Sequence, residues 1–219
     1  MKRAVVTGAN RGIGLELCRQ LPALGYEVVA ACRKNSAELD QSGARIITGI
    51  DVANDTSVAK LAGELKKEAI DLLINNAGVL TSETLSNLDF DRMRRQFEVN
   101  ALGPLRVTRA LLSNLNKGSK VAIITSRVGS IADNHSGGYY GYRMSKAAVN
   151  MAGVNLALDL RSQGIAVFLL HPGLVATRLT GGVGMPPAES AANLVARLGE
   201  LTIEQTGTFW HANGEPLPW

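Results

Sequence analysis

Two hydrophobic patterns alternate along the chain. Short unbroken apolar runs are followed by longer stretches in which apolar residues recur every three or four positions. The runs Lys2-Arg3-Ala4-Val5-Val6, Glu27–Cys32, Ala44–Thr48, Leu72–Ile74, Val121–Thr125 and Ala166–Leu170 predict strands, and Gly207–Trp210 predicts a last one near the C-terminus. The helical spacing predicts a helix from Leu15 to Leu21 and another after Asn54-Asp55 through Val58, Leu61 and Leu65. A third runs from about Asp91 to Leu112, a fourth from Tyr142 to about Arg161, and a fifth begins at Pro186-Pro187-Ala188-Glu189. Asn54 and Asp55 offer N-cap oxygens, and the prolines sit early enough to be tolerated. In the third helix Phe90, Met93, Phe97 and Ala101 mark one face. Asn100 lies deep in that apolar stretch, and a buried amide needs partners, so it is either structural glue or part of a polar relay.

Strands that are apolar throughout are buried on both faces. Alternation with helices therefore predicts an α/β fold: one doubly wound parallel sheet with helices on both faces, a single domain over residues 1–219. No repeat, low-complexity stretch or linker divides it.

Composition narrows the function. The 219 residues suffice for a full core, with 46% hydrophobic and 19% charged residues. No run is long and apolar enough to span a bilayer, and no basic segment precedes an apolar one at the N-terminus, so neither membrane attachment nor a signal peptide is expected. Cys18 and Cys32 fall on the first helix and the second strand without metal-ligand spacing. They read as buried thiols of a reducing compartment, which places the protein in the cytoplasm and predicts no metal. The net charge is +4 and the isoelectric point about 9.2. The basic residues are scattered, which argues against nucleic acid, whereas a phosphorylated small ligand suits the balance.

The candidate chemistry clusters at strand ends. Thr7-Gly8-Ala9-Asn10-Arg11-Gly12-Ile13-Gly14 joins the first strand to the first helix. Glycines allow a tight turn and close approach of backbone N–H groups to an anion, and the helix aims its positive end at the same place. Gly8, Asn10, Arg11, Gly12, Ile13 and Gly14 are thus candidate diphosphate contacts, although the G-x-x-x-G-x-G spacing differs from the commoner dinucleotide fingerprint and also fits an ordinary glycine-rich turn. Arg33, followed by Lys34, ends the second strand, where an acid would bind a ribose 2′-hydroxyl and an arginine accommodates a 2′-phosphate. Glu38 and Asp40 come too late, and Arg11 is a second cation; alternatively Arg33 begins a solvated loop. Asp51-Val52 follows the third strand, and Asp51 either meets an adenine amino group or is loop polarity. Asn75-Asn76-Ala77-Gly78 follows the fourth strand as a turn that also admits a ligand. Ser126 ends the fifth. Tyr142 and Lys146 share a helix face. A lysine so near a helix N-terminus opposes the macrodipole, which points to a chemical role. Tyr139 and Tyr140 have Arg143 and Met144 at that spacing instead. His135, His171 and His211 receive no catalytic role. The glycine turn, Arg33, Asp51, Asn75–Gly78, Ser126 and Pro172-Gly173 each follow a strand end, so a doubly wound sheet gathers them along one crevice.

These residues, with Asn100 and Thr177, make the chain resemble the short-chain dehydrogenase/reductase family over essentially its whole length, most of all its small carbonyl-reductase, sniffer-like and C-factor-like branch. The resemblance implies hydride transfer between the nicotinamide of NADP(H) and a small-molecule carbonyl or alcohol. It implies that Tyr142 is the general acid-base, that Lys146 favours the phenolate and binds the nicotinamide ribose, and that Ser126 holds the substrate oxygen. Asn100 would hold a water linking Lys146 to solvent, while Pro172, Gly173, the backbone near Val175 and Thr177 would fix the carboxamide. It also implies a homodimer or homotetramer paired through the Tyr142 helix, apolar nearly all round from Ala147 to Leu158, and the helix carrying Asn100; cover from the same chain is the alternative. A signalling or redox-sensing protein that binds the dinucleotide without turnover is the competing function, yet a sensor has no need of Asn100, Ser126, Tyr142 and Lys146 together. An epimerase or dehydratase is disfavoured by the glycine spacing. Two segments are short: Arg33 to Ala44 leaves little room for a full helix, and Gly173 to Pro187, with Gly181-Gly182-Val183-Gly184, predicts a small flexible lid.

Overall fold

In the computed structural model, which describes residues 2–219, seven parallel strands form one sheet. The elements in chain order are β1 (Lys2–Thr7), α1 (Gly12–Gln20), β2 (Tyr26–Ala31), α2 (Ala37–Asp40), β3 (Arg45–Ile47), α3 (Asp55–Leu65), β4 (Ile70–Asn75), α4 (Phe90–Phe97), α5 (Gly103–Ala110), β5 (Leu115–Ile124), α6 (Tyr140–Arg161), β6 (Ala166–His171), α7 (Pro187–Glu200) and β7 (Thr208–His211). The spatial order is β3-β2-β1-β4-β5-β6-β7, so the winding reverses between β1 and β4. That reversal opens a crevice at the carboxyl ends of the strands.

Strand side chains alternate between two apolar layers. Ala4, Val6, Leu72 and Ile74 pack under α1 and α7 with Leu17, Leu194 and Leu198. Val5, Leu73, Val121 and Ile123 pack under α3, α5 and α6 with Leu61, Val107, Val149 and Leu160. Burying one such Leu or Ile side chain contributes about 1.5–3 kcal/mol. Asn54 caps α3 by accepting from the Ser57 N–H at 2.8 Å, as its sequence position predicts.

Two expectations need correction, and so does the alternative that the same chain covers α6. Cys32 lies just past β2 rather than in it, although it is buried. The single helix expected from Asp91 to Leu112 is broken into α4, a wide π-type turn over Glu98–Leu102, and α5. Pro104 is the physical reason: it has no N–H to donate back to the Asn100 carbonyl. The expected face also differs within α4, ahead of the break. Phe90 is 61% exposed, whereas Gln96 is the buried residue of α4. Finally, the chain does not cover α6 completely. Gly153 and Val149 turn toward the core, but Met144, Met151 and Leu158, spaced seven apart, are exposed. Leu102, Leu105 and Leu112, in and beside α5, are partly exposed as well. Among the described residues no helix is long and apolar enough to cross a membrane.

Candidate active site

The two strand ends at the reversal are tied together first. Thr7 Oγ1 accepts from the backbone N–H groups of Asn76 (3.0 Å) and Ala77 (3.1 Å), and Asn76 Nδ2 donates to the Thr7 carbonyl at 2.9 Å. Gly8 adopts φ +66°, and a β-carbon there would lie 2.8 Å from Ala77 Cα. Only glycine allows this approach and this conformation together.

Above this joint lies a crevice of about 410 Å³. Gly8, Asn10, Arg11, Gly12, Ile13, Arg33, Asp51, Val52, Asn76, Ala77, Gly78, Tyr142, Lys146, Pro172 and Thr177 line it. Gly14, Asn75, Asn100, Ser126, Gly173 and Val175 do not. A β-carbon on Gly14 would lie 2.4 Å from the Gly8 carbonyl oxygen, so Gly14 serves close packing of α1 on the turn. Asn75 is buried and donates to Thr108 Oγ1 at 3.1 Å. Gly173, at φ +88°, faces Met185, and Val175 is buried and pairs with Met185 at the base of the following loop. That pairing pins both ends of the predicted lid. The crevice also gains Cys32, Arg95, Val99, Thr125, Arg178 and Leu179. Thr125 and Arg178 are neighbours of predicted residues; Arg95 had no local signal.

The first turn of α1 opens on the crevice with no side-chain cap and no acidic residue. Its N–H groups are left for an anion, and the helix dipole favours one. Arg11 and Arg33 have no ion pair among the described residues, in contrast to Arg95, which binds Asp51 at 2.8 Å. Burial opposes ionisation of Asp51, but the Ala53 N–H, Arg95 and Arg33 outweigh it and hold the carboxyl below its ordinary range. A free helix N-terminus flanked by unpaired arginines fits a phosphorylated dinucleotide. Gly8 to Ile13 would hold its diphosphate and Arg33 its adenosine end.

The other end is built by β5 and α6. Ser126, directly after β5, is buried and caps a short turn by accepting from the Val128 N–H at 3.4 Å. Gly129 completes that turn: a β-carbon on it would lie 2.7 Å from the Lys146 backbone carbon, so a side chain here would push α6 away. Lys146 Nζ donates to the Ile124 carbonyl at 2.8 Å and lies 5.6 Å from the centre of the Tyr142 ring. Burial pulls the ammonium down to about 8. Burial likewise pushes the Tyr142 phenol up to about 12, against a hydrogen bond with Ser126 that lowers it. In the free protein burial is the largest influence on both groups.

Asn100 stands behind this group and outside the crevice. Its Oδ1 accepts from the Val79 N–H (2.9 Å), and its Nδ2 donates to the Val79 carbonyl (2.8 Å) and to Ser145 Oγ (3.0 Å). Ser145 Oγ donates in turn to the Tyr142 carbonyl at 2.8 Å. The side chain thus joins the loop after β4 to the helix that carries Tyr142 and Lys146. Tyr139 and Tyr140 stay at the outer edge of α6, both exposed. His171 and His211 stack edge to face at 4.9 Å. Burial, His211, Arg127 and Lys146 hold His171 neutral, down to about 3.

The pattern of glycine turn, Asn-Asn-Ala-Gly, serine and Tyr-x-x-x-Lys has a known setting: residues 2–186 match the short chain dehydrogenase family. The chain belongs to the short-chain dehydrogenase/reductase family. It is an oxidoreductase of that family, with the fold of its carbonyl-reductase members. A relative from Rhodococcus sp., 1-hydroxy-2-glutathionyl-2-methyl-3-butene dehydrogenase, is 43% identical over the whole of both chains. The C-signal of Myxococcus xanthus is 45% identical over 68% of this chain and 93% of its own length. Among solved structures, the NADPH-bound carbonyl reductase from chicken fatty liver is 29% identical, covers 100% of this chain and 99% of its own, and superposes with a TM-score of 0.91.

Proposed function

We propose that this oxidoreductase is an NADP(H)-dependent carbonyl reductase, moving hydride between nicotinamide and an aldehyde or ketone. One observation carries the reading: a single crevice has Tyr142 and Lys146 at one end, with the buried Ser126 hydrogen-bonded to Tyr142 beside it, and the unpaired cations Arg11 and Arg33 at the other. When bound, the nicotinamide supplies or takes the hydride. The chain's residues handle the oxygen and its proton. Ser126 Oγ donates to the substrate oxygen and Tyr142 Oη delivers or removes the proton. At neutral pH the phenol therefore keeps its proton, the form that reduction needs, but so high a value also makes it a weak acid until cofactor binding changes its surroundings. Lys146 holds the nicotinamide ribose and, once that charge balance changes, tunes the phenol. Asn100 anchors Val79 and Ser145 with its side chain, while its carbonyl, which Pro104 cannot serve, holds the water that connects Lys146 with solvent. Thr177 and the loop near Val175 fix the carboxamide. The exposed stripes of α5 and α6 pair two or four copies.

The test follows NADPH oxidation against aldehydes, ketones and quinones, with NADH in parallel and both cofactors titrated into wild type and Arg33→Asp. The Rhodococcus relative's name describes an alcohol dehydrogenase acting on a glutathionyl compound, so thioether alcohols belong in the reverse panel. A charge-assisted hydrogen bond to phosphate contributes about 1.5–3 kcal/mol, roughly ten- to a hundredfold in affinity. Tighter NADH than NADPH binding by the wild type would refute the cofactor assignment. The C-signal relative supports one second reading, signalling that needs dinucleotide occupancy but no turnover. It predicts NADPH binding with no reduction of any compound in the panel.

A further inference from the structure

The loop after β6 lines the crevice and is held in shape by its own bonds. Val175 pairs with Met185; the Ala176 N–H donates to the Met185 carbonyl at 2.9 Å, and the Met185 N–H to the Leu174 carbonyl at 2.9 Å. Inside it, Thr177 caps the single turn Arg178–Thr180: its Oγ1 accepts from the Leu179 N–H at 3.2 Å, and its own N–H donates to Thr180 Oγ1 at 3.1 Å. This turn faces the glycine loop directly, because a β-carbon on Gly12 would lie 3.3 Å from Thr177 Cγ2. The loop is therefore the wall opposite the first turn of α1.

Arg178 stands on that wall. It is exposed and lines both the crevice and a smaller cavity beside it. Among the described residues it has no ion pair and no side-chain hydrogen bond. The arginines elsewhere that face acids use them: Arg106 binds Asp55 and Glu98, and Arg127 binds Asp133 and Glu215. The smaller cavity carries Arg11 together with Glu38, whose opposite charges largely offset each other, so the side of Arg178 that better suits an anion is the main crevice. There the free N–H groups of α1 already favour an anion from the other side. Arg33 lies further along, at the adenosine end.

We propose that Arg178 is a diphosphate-binding arm: its guanidinium closes on the dinucleotide's diphosphate from the loop side, opposite α1, and does not read the 2′-phosphate. This rests on the reading that a dinucleotide fills the crevice. The guanidinium fork matches phosphate oxygens, and its planar donors make the bond directional as well as charged. An exposed arm is screened by salt, so its effect is modest and ionic-strength dependent.

The experiment measures binding by calorimetry for NADPH, NADH, adenosine diphosphate and adenosine 2′-monophosphate. The proteins are wild type, Arg178→Ala, Arg178→Lys and Arg178→Glu. Arg178→Ala should weaken NADPH, NADH and adenosine diphosphate by a common factor of about three- to tenfold and leave adenosine 2′-monophosphate unchanged. Arg178→Lys should recover part of the loss, Arg178→Glu should exceed it, and the loss should shrink with added salt. Unchanged binding of every ligand by Arg178→Ala overturns the proposal. So does a loss confined to NADPH and adenosine 2′-monophosphate, which would put the arm on the 2′-phosphate. A wild type that binds none of the four would instead overturn the dinucleotide reading itself. Arg178 is exposed on a loop whose bonds are all made by its neighbours, so the fold survives each substitution.

Discussion

Lys146 should make the protein's stability depend on pH in a way that its methionine variant does not. The ammonium is almost wholly enclosed and has one hydrogen bond, to the Ile124 carbonyl. Burial pulls it from 10.5 down to about 8. Between those values the unfolded chain binds the proton and the native one does not. Stability therefore rises with pH through that window, and the full cost of the buried charge is present below it. The gap of about two and a half decades of proton affinity corresponds to about 3.4 kcal/mol at about 1.36 kcal/mol per decade. Linkage places about 2 kcal/mol of the relief between pH 7 and 9.5. The scan stops there because Tyr142, pushed up to about 12, acts in the opposite direction above pH 10. Lys146→Met removes the charge but leaves the Ile124 carbonyl unpaired, costing about 1–3 kcal/mol. That cost does not titrate, so it cancels in the comparison across pH. Urea unfolding of both proteins at half-unit steps should show wild type gaining about 2 kcal/mol on the variant from pH 7 to 9.5. A difference that stays constant across the range would refute the buried-charge argument.

Tyr142→Phe should keep NADPH binding and lose about 10²–10⁴ in turnover on a good carbonyl substrate, with Tyr140→Phe nearly silent; retention of more than a tenth of the wild-type rate would remove Tyr142 from the proton step. Gly129→Ala should destabilise by about 1–3 kcal/mol, seen as a fall in melting temperature, and should reduce turnover more than NADPH affinity, because its β-carbon meets the Lys146 backbone. Wild type should scatter light as a dimer or tetramer at micromolar concentration and Met151→Lys/Leu158→Lys as a smaller species, the charges entering an exposed apolar stripe; a monomeric wild type rejects the pairing.

The sheet was legible because its signal is local and strong. Continuous apolar runs such as Val121–Ile124 have no amphipathic alternative, and all seven expected strands formed. The crevice was legible for a different reason: in a parallel sheet every strand end points the same way, so separate short motifs could be placed on one edge without any distance being known. What failed was local geometry that depends on packing. Phe90 follows helical spacing with Met93 and Phe97, but it is the first residue of α4 and stands exposed there, and spacing does not say where a helix begins or is interrupted. The interruption itself was readable, since Gly103-Pro104 stands inside the run. Periodicity was followed where a chain-breaking pair should have outranked it.

The same break explains why Asn100 resisted a single role from its sequence position. In a continuous helix its carbonyl would accept from residue 104, and its side chain would face an apolar layer without partners. Proline at 104 removes that donor, and the wide turn over Glu98–Leu102 turns the amide toward the loop after β4. There it takes both backbone groups of Val79 and the Ser145 hydroxyl. The segment that carries Asn100 thus acquires a fixed link to the helix that carries Tyr142, while its own carbonyl is released. On the proposed mechanism, glue and relay then fall to different atoms of one residue, the first to the side chain and the second to the backbone. Asn100→Ala separates them. It deletes the side-chain bonds and loosens the Tyr142 helix, but it leaves the freed carbonyl and Pro104 in place. Loss of stability with rate falling in proportion would identify the glue as dominant, and a shifted pH profile at retained stability would contradict this division of labour.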